Sequence, residues 1–132
     1  MKISKGNSES VNLKVFEEAR CKYAIDIPTA VIDFLTENNG GKPEKKYIES
    51  REDSYSIRRF LSLDPKSEYY IEKPMDYFLG KTKKKIIPIA VDDSSNYFCV
   101  NIETGKVYYW VSESDEYYMI SKGLEGFCAL FN

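Results

Sequence analysis

The sequence predicts an α+β fold: an antiparallel or mixed β-sheet of about five to six strands with helices packed on one side. Three observations carry that expectation. Two stretches with apolar residues at three- and four-residue spacing stand near the start, short apolar runs split by turn-forming residues fill the middle and last third, and an apolar stretch closes the chain. Strands that follow one another through tight turns pair antiparallel, which leaves the helices to cover a face.

Leu13, Phe16, Ala19 and Tyr23 repeat at helical spacing among good helix formers, so a first helix is expected there. Ile27, Val31, Phe34 and Leu35 define a second, with Pro28 in the first turn, where a missing N–H costs least. Asn38-Asn39-Gly40-Gly41 ends it, since Asn and Gly accept the left-handed conformation and Pro43 forbids an early restart. Lys46–Glu49 and the alternating Tyr55, Ile57, Arg59, Leu61 and Leu63 read as two strands. Residues 66–80 read as a short helix and a loop, because Pro74 interrupts any continuous helix. Ile86–Val91, Tyr97–Ile102 and Val107–Val111 are β-rich runs, and Tyr117–Ile120 adds a further strand. Asp92–Asn96 are all turn formers, and Gly105 stands where a short hairpin needs positive φ. Leu124–Phe131 reads as a terminal helix weakened by Gly126.

A length of 132 residues suits one domain over residues 1–132, with residues 1–10 a flexible N-terminus. The lysines near the start have no apolar stretch behind them, and no run approaches the roughly 18 apolar residues of a membrane span, so a cytoplasmic protein is expected. Cys21, Cys99 and Cys128 are odd in number and far apart, and read as free buried thiols. Histidine is absent, which removes the commonest general base, the Ser-His and Cys-His pairs and most zinc-hydrolase ligand sets. The expectation is a binding protein and not an enzyme, with no catalytic residues, cofactor or metal. The net charge of -2 is uneven: residues 1–91 hold 17 basic and 14 acidic side chains, residues 92–132 hold 2 and 7. An acidic surface repels nucleic-acid phosphate and attracts basic proteins.

Asp92-Asp93 with Glu103 or Asp115 would be a hard-metal or paired-carboxylate site, but the surrounding Ser94-Ser95-Asn96 favours a turn and the fixed spacing of a calcium loop is missing. Lys81, Lys83, Lys84 and Lys85 lack the interleaved aromatics of a nucleic-acid contact and read as a solvated loop that guards a strand's entry. Glu113, Asp115 and Glu116 beside Tyr117 and Tyr118 read either as an acidic, aromatic patch for a basic partner or as an ordinary solvated loop. In an extended strand Tyr108 and Trp110 share one face and Tyr109 takes the other; one set is core and the other a possible interface.

Taken in order, the first helix, Ile27-Pro28, Asn39-Gly40-Gly41, Ile87-Pro88-Ile89-Ala90, Tyr97-Phe98-Cys99-Val100, Gly105–Trp110 and Leu124–Phe127 resemble the SUKH superfamily, which contains fungal cell-wall-assembly (glucan synthesis) regulators and bacterial immunity proteins. The resemblance covers about residues 12–131 and rests on order and spacing. It departs from the pattern at Ser94-Ser95-Asn96, where an acidic-Gly pair is usual, and at residues 64–80, which align with nothing; partner choice is expected at those places. The resemblance implies an immunity protein that binds a cognate polymorphic toxin, often a nuclease, and neutralises it by covering its surface. A regulatory scaffold in envelope synthesis is the alternative, and a carboxylate- or metal-dependent hydrolase centred on Asp92 and Asp93 a remote one. The partner is expected to be a basic protein, with neither nucleic acid nor membrane as target, and the expected contact residues are Asp92, Asp93, Tyr108, Trp110, Glu113, Asp115 and Glu116.

Overall fold

The computed structural model describes residues 10–132; the flexible N-terminus expected at residues 1–10 lies outside them except for Ser10. The elements in order are α1 (Lys14–Tyr23), α2 (Thr29–Glu37), β1 (Tyr47–Ser50), β2 (Asp53–Ser56), β3 (Arg59–Phe60), α3 (Glu72–Lys81), β4 (Ile86–Val91), β5 (Tyr97–Asn101), β6 (Val107–Val111), β7 (Glu116–Ser121) and α4 (Leu124–Ala129). Strands β3 to β7 form a five-stranded antiparallel sheet in chain order, and β1 and β2 form a hairpin of their own. The α+β architecture is the one the sequence predicts.

Each helix shows why it starts and stops. The side chain of Asn12 accepts the Lys14 N–H at 3.0 Å and opens α1, which closes at Ala24 with φ 52. The Pro28 carbonyl accepts the Val31 and Ile32 amides of α2, and Asn38 closes it by donating both backbone and side-chain N–H groups to the Phe34 carbonyl. Gly40 then takes φ 65, the left-handed turn expected there. Helix α3 is longer than expected, because Pro74 falls at its third residue, in the first turn, whose N–H groups have no helical acceptor anyway.

One face of the large sheet carries Ile87, Ile89, Phe98, Val100, Val107 and Ile120 into a core with Val15 and Phe16 of α1, Val31, Phe34 and Leu35 of α2, and Phe127 of α4. Each such side chain contributes about 1.5–3 kcal/mol by leaving water. Rings interlock within it, Phe34 meeting Phe60 edge to face with centroids 5.6 Å apart. The small hairpin lies over the far part of this face: Tyr55 stacks beside Tyr109 at 4.8 Å, and Ser50 Oγ donates to the Ile120 carbonyl at 2.7 Å. Helix α3 reaches both faces, sending Met75 and Leu79 into the main core and Phe78 into a second cluster with Ile86, Cys99 and Trp110. Strand β4 is consequently buried along its whole length. It tolerates Pro88 because β3 pairs only with Ala90 and Val91, and the register to β5 shifts between Pro88 and Ala90.

Two expectations change. The alternation from Tyr55 to Leu63 is not one strand: the Ile57 N–H donates to Lys46 in the hairpin, whereas the Arg58 N–H donates to Val91 in the large sheet, so the chain changes sheets between adjacent residues. The cysteines are free, but only Cys99 is fully buried, Cys128 is half-buried and Cys21 is exposed. Cys21 lies two residues beyond buried Ala19, roughly 200° around the helix and so on its outer side.

Candidate interaction site

Antiparallel order gathers distant residues at the two ends of the large sheet. Val91 stands opposite Tyr97, Tyr97 opposite Trp110, and Val111 opposite Glu116, so the turn 92–96 and the loop 112–115 share one end. The Ser112 N–H and hydroxyl both donate to Asn96 Oδ1, at 2.8 and 3.1 Å, and tie the two together. Asp93, Glu113, Asp115 and Glu116 are exposed at this end. The connection 82–85 and the turn 102–106 lie at the other, where Lys83, Lys84, Lys85 and Lys106 are exposed. Exposed acids thus dominate the first end, where Arg58 and Lys81 offset Asp93 and Asp115, and lysines dominate the second, where Glu103 offsets Lys85.

The seven expected contact residues do not behave alike. Asp92 is only 6% exposed, and its carboxylate is spent on the turn: it accepts the Ser94 and Asn96 backbone amides at 2.9 Å each, the Asn96 side-chain amide at 3.2 Å and the Tyr109 hydroxyl. Burial, reinforced by that bond to Asp92, pushes the Tyr109 hydroxyl far above the ordinary tyrosine range and keeps it a donor. Asp92 thus builds the turn that the sequence predicts at residues 92–96. Asp93 points outward and pairs with Arg58 at 3.3 Å, whose Nε also donates to the Tyr69 hydroxyl at 2.8 Å. Trp110 is 6% exposed, with Phe78 edge-on at 4.9 Å, so it is an interior group. Tyr108, on the same face, stays half-exposed beside Tyr117. Glu113 and Glu116 are exposed side chains of the loop and its exit.

Asp115 belongs to a constellation that sequence reasoning missed. Its Oδ1 accepts the indole N–H of Trp110 at 2.6 Å and the ammonium of Lys81. That ammonium sits over four rings, 4.6 Å from the centroid of Trp110, 4.9 Å from Tyr77, 5.5 Å from Phe78 and 5.6 Å from Tyr117. The hydrogen bond from Lys81, with that from Trp110, holds the Asp115 carboxyl below the usual range. Burial works to lower the Lys81 pKa, but the bond to Asp115 and the surrounding groups outweigh it and the net shift is upward. Lys81, expected in a solvated loop without aromatic neighbours, instead closes α3 one turn after Tyr77 and Phe78, and β6 and β7 bring Trp110 and Tyr117 across to it.

Beside the acidic end runs a groove of about 490 Å³, whose lining includes Arg58, Tyr69, Tyr70, Lys73, Asp93 and Tyr97. The two segments expected to carry partner choice, 64–80 and 94–96, both contribute to its wall. Among the described residues no group of three or more Cys, Asp or Glu side chains is placed to hold a metal ion, and no helix is long and apolar enough to cross a membrane.

A family model described as the SMI1 / KNR4 family (SUKH-1) matches residues 11–129. No curated protein sequence and no solved structure matches the chain.

Proposed function

The chain belongs to the SMI1 / KNR4 family (SUKH-1), and from that premise we propose that it is a cytoplasmic immunity protein, which binds a cognate toxin and neutralises it by covering its surface. Membership supports a protein of the immunity or regulatory-scaffold kind. The observation that carries the mode of action is the acidic end of the large sheet, where Glu113 and Glu116 stand exposed next to Asp93, far from the lysines of the opposite end. A toxin that acts on nucleic acid presents a cationic surface, and complementary charge speeds encounter and orients the approaching partner. Neutralisation by coverage asks for no reacting group, only for a rigid, correctly charged surface. The adjoining groove offers half-buried tyrosines, a side-chain type suited to the interior of an interface.

The test is co-expression with the product of the adjacent gene. The chain is expected to relieve the toxicity of that product and to co-purify with it as a stoichiometric complex; a product that is harmless, or toxic and unbound, overturns the reading. The family also embraces regulators of envelope synthesis, and that second reading expects a wall defect on deletion with no toxin to relieve.

A further inference from the structure

Lys81 is the one lysine of the 81–85 run that does not face solvent freely: its side chain is 22% exposed, whereas that of its partner Asp115 is 63% exposed. The reach runs from the last turn of α3 to a loop of four residues between Val111 and Glu116. That loop is tight. Asp115 itself takes φ 58, and its N–H closes back on the Val111 carbonyl at 2.8 Å. Its two flanking acids, Glu113 and Glu116, have no ion-pair partner among the described residues. The Asp115 side chain is held twice, to the end of α3 through Lys81 and to β6 through the indole N–H of Trp110. A charge in a box of rings with a carboxylate lid, largely shielded from water, binds more firmly than an exposed ion pair does.

We propose that Lys81 is the positioning residue of the acidic end: by clasping Asp115 it fixes the β6–β7 loop and so sets the direction in which Glu113 and Glu116 meet a cationic protein surface. The clasp also removes Asp115 from the recognition charge, leaving Glu113 and Glu116 to act. This role rests on the reading of the acidic end as the contact surface, and the experiment keeps the two separable.

Lys81→Met keeps an unbranched stem among the rings and removes the charge; Lys81→Arg keeps the charge. In the isolated chain, the amides of residues 112–116 are expected to exchange about tenfold faster in Lys81→Met, the factor that ~1.4 kcal/mol of lost local stability gives. Those of β4 and α2 should not change, and Lys81→Arg should restore most of the protection. Unchanged exchange in the loop overturns the clasp whatever the partner does. The second arm measures affinity for the adjacent gene's product. Lys81→Met makes the acidic end more negative, so charge alone would tighten binding to a cationic surface, whereas a positioning role loosens it by about tenfold with recovery in Lys81→Arg. Faster exchange together with equal or tighter binding overturns the positioning role and leaves the immunity reading intact. Failure of the unaltered chain to bind the product, with the loop still protected, overturns the contact surface and leaves the clasp as a purely structural feature.

Discussion

Asp92 and Asp115 read in the sequence as surface acids, and each is engaged within the molecule, Asp92 buried and Asp115 at the surface. Asp92 organises a turn and receives the Tyr109 hydroxyl; Asp115 receives an ammonium and an indole N–H. The difference matters for pH. Bonds to Lys81 and Trp110 lower the folded-state pKa of Asp115 below its unfolded value, 3.8 in the absence of partners. A depressed carboxyl contributes stability that is present above the unfolded pKa and is lost as pH falls through the folded one. Lys81, raised above 10.5, contributes below that value and loses its contribution as pH climbs through its folded pKa. The clasp is therefore intact between these limits. Trp110 is the sole tryptophan, so intrinsic fluorescence reports on this cluster. Its emission is expected to stay flat across the neutral range and to change in acid with a midpoint below the ordinary aspartate value of about 3.9. In Lys81→Met that midpoint moves up toward the ordinary value. A wild-type midpoint at or above it would show that Asp115 gains nothing from the contact.

At the scale of the element, backbone conformation identifies where the sequence works against its own turns. The hairpin between β1 and β2 pairs Ser50 with Asp53, leaving Arg51 and Glu52 as its two central residues at φ 51 and 70. Two positive φ values in a two-residue hairpin turn are the signature of the type I′ turn, which Asn-Gly fills without strain, whereas an ordinary L-residue there costs roughly 1–2 kcal/mol. Arg51→Asn with Glu52→Gly is expected to stabilise the chain by about 1 kcal/mol, after allowance for the greater freedom that glycine gives the unfolded state. In a thermal melt this is a rise of about 4 °C, and a fall in Tm would place a favourable contact at Arg51 or Glu52. The same elements show what sequence can and cannot disclose. The helix end at Asn38 to Gly41 and the hairpin at Gly105 were legible because glycine accepts positive φ without strain, and Gly40 and Gly105 take φ 65 and 80. The Arg51-Glu52 turn was not, because nothing local marks it. The break after Ile57 escaped for a different reason: the alternation of side chains continues unbroken while the hydrogen-bonding partner changes. Pro74 shortened α3 on paper because its place within the first turn depends on where the helix begins. The acidic end was half legible. The charges of residues 92–132 could be counted, but Asp92 is buried against Tyr109 and the exposed Asp115 is paired with Lys81 and Trp110, and only the folded sheet brings those groups to them.

The whole molecule is electrostatically polar although its net charge is only -2. Exposed carboxylates predominate where β4 runs into β5 and β6 into β7, with Arg58 against Asp93 there, exposed lysines predominate at the opposite end, with Glu103 against Lys85, and the strands between them set the separation. Such a molecule acts on a cationic partner in two ways. It speeds encounter in proportion to the field, a contribution that falls with ionic strength because the screening length shortens from about 10 Å at 0.1 M to about 3 Å at 1 M. It also turns the acidic end toward the partner before contact. Reversing Glu113 and Glu116 to lysine together is therefore expected to slow association with the adjacent gene's product by at least about tenfold at low salt and to flatten the dependence of the association rate on salt. The dissociation rate should change less, since both side chains are exposed and screened. Reversal of Lys83 and Lys84 to glutamate provides the control, because it changes the net charge by the same amount in the opposite sense at the far end of the sheet. If orientation matters, that second variant leaves the association rate within about twofold of the unaltered chain. If only net charge matters, it accelerates association as strongly as the first variant slows it, and the acidic end loses its claim to be the contact surface.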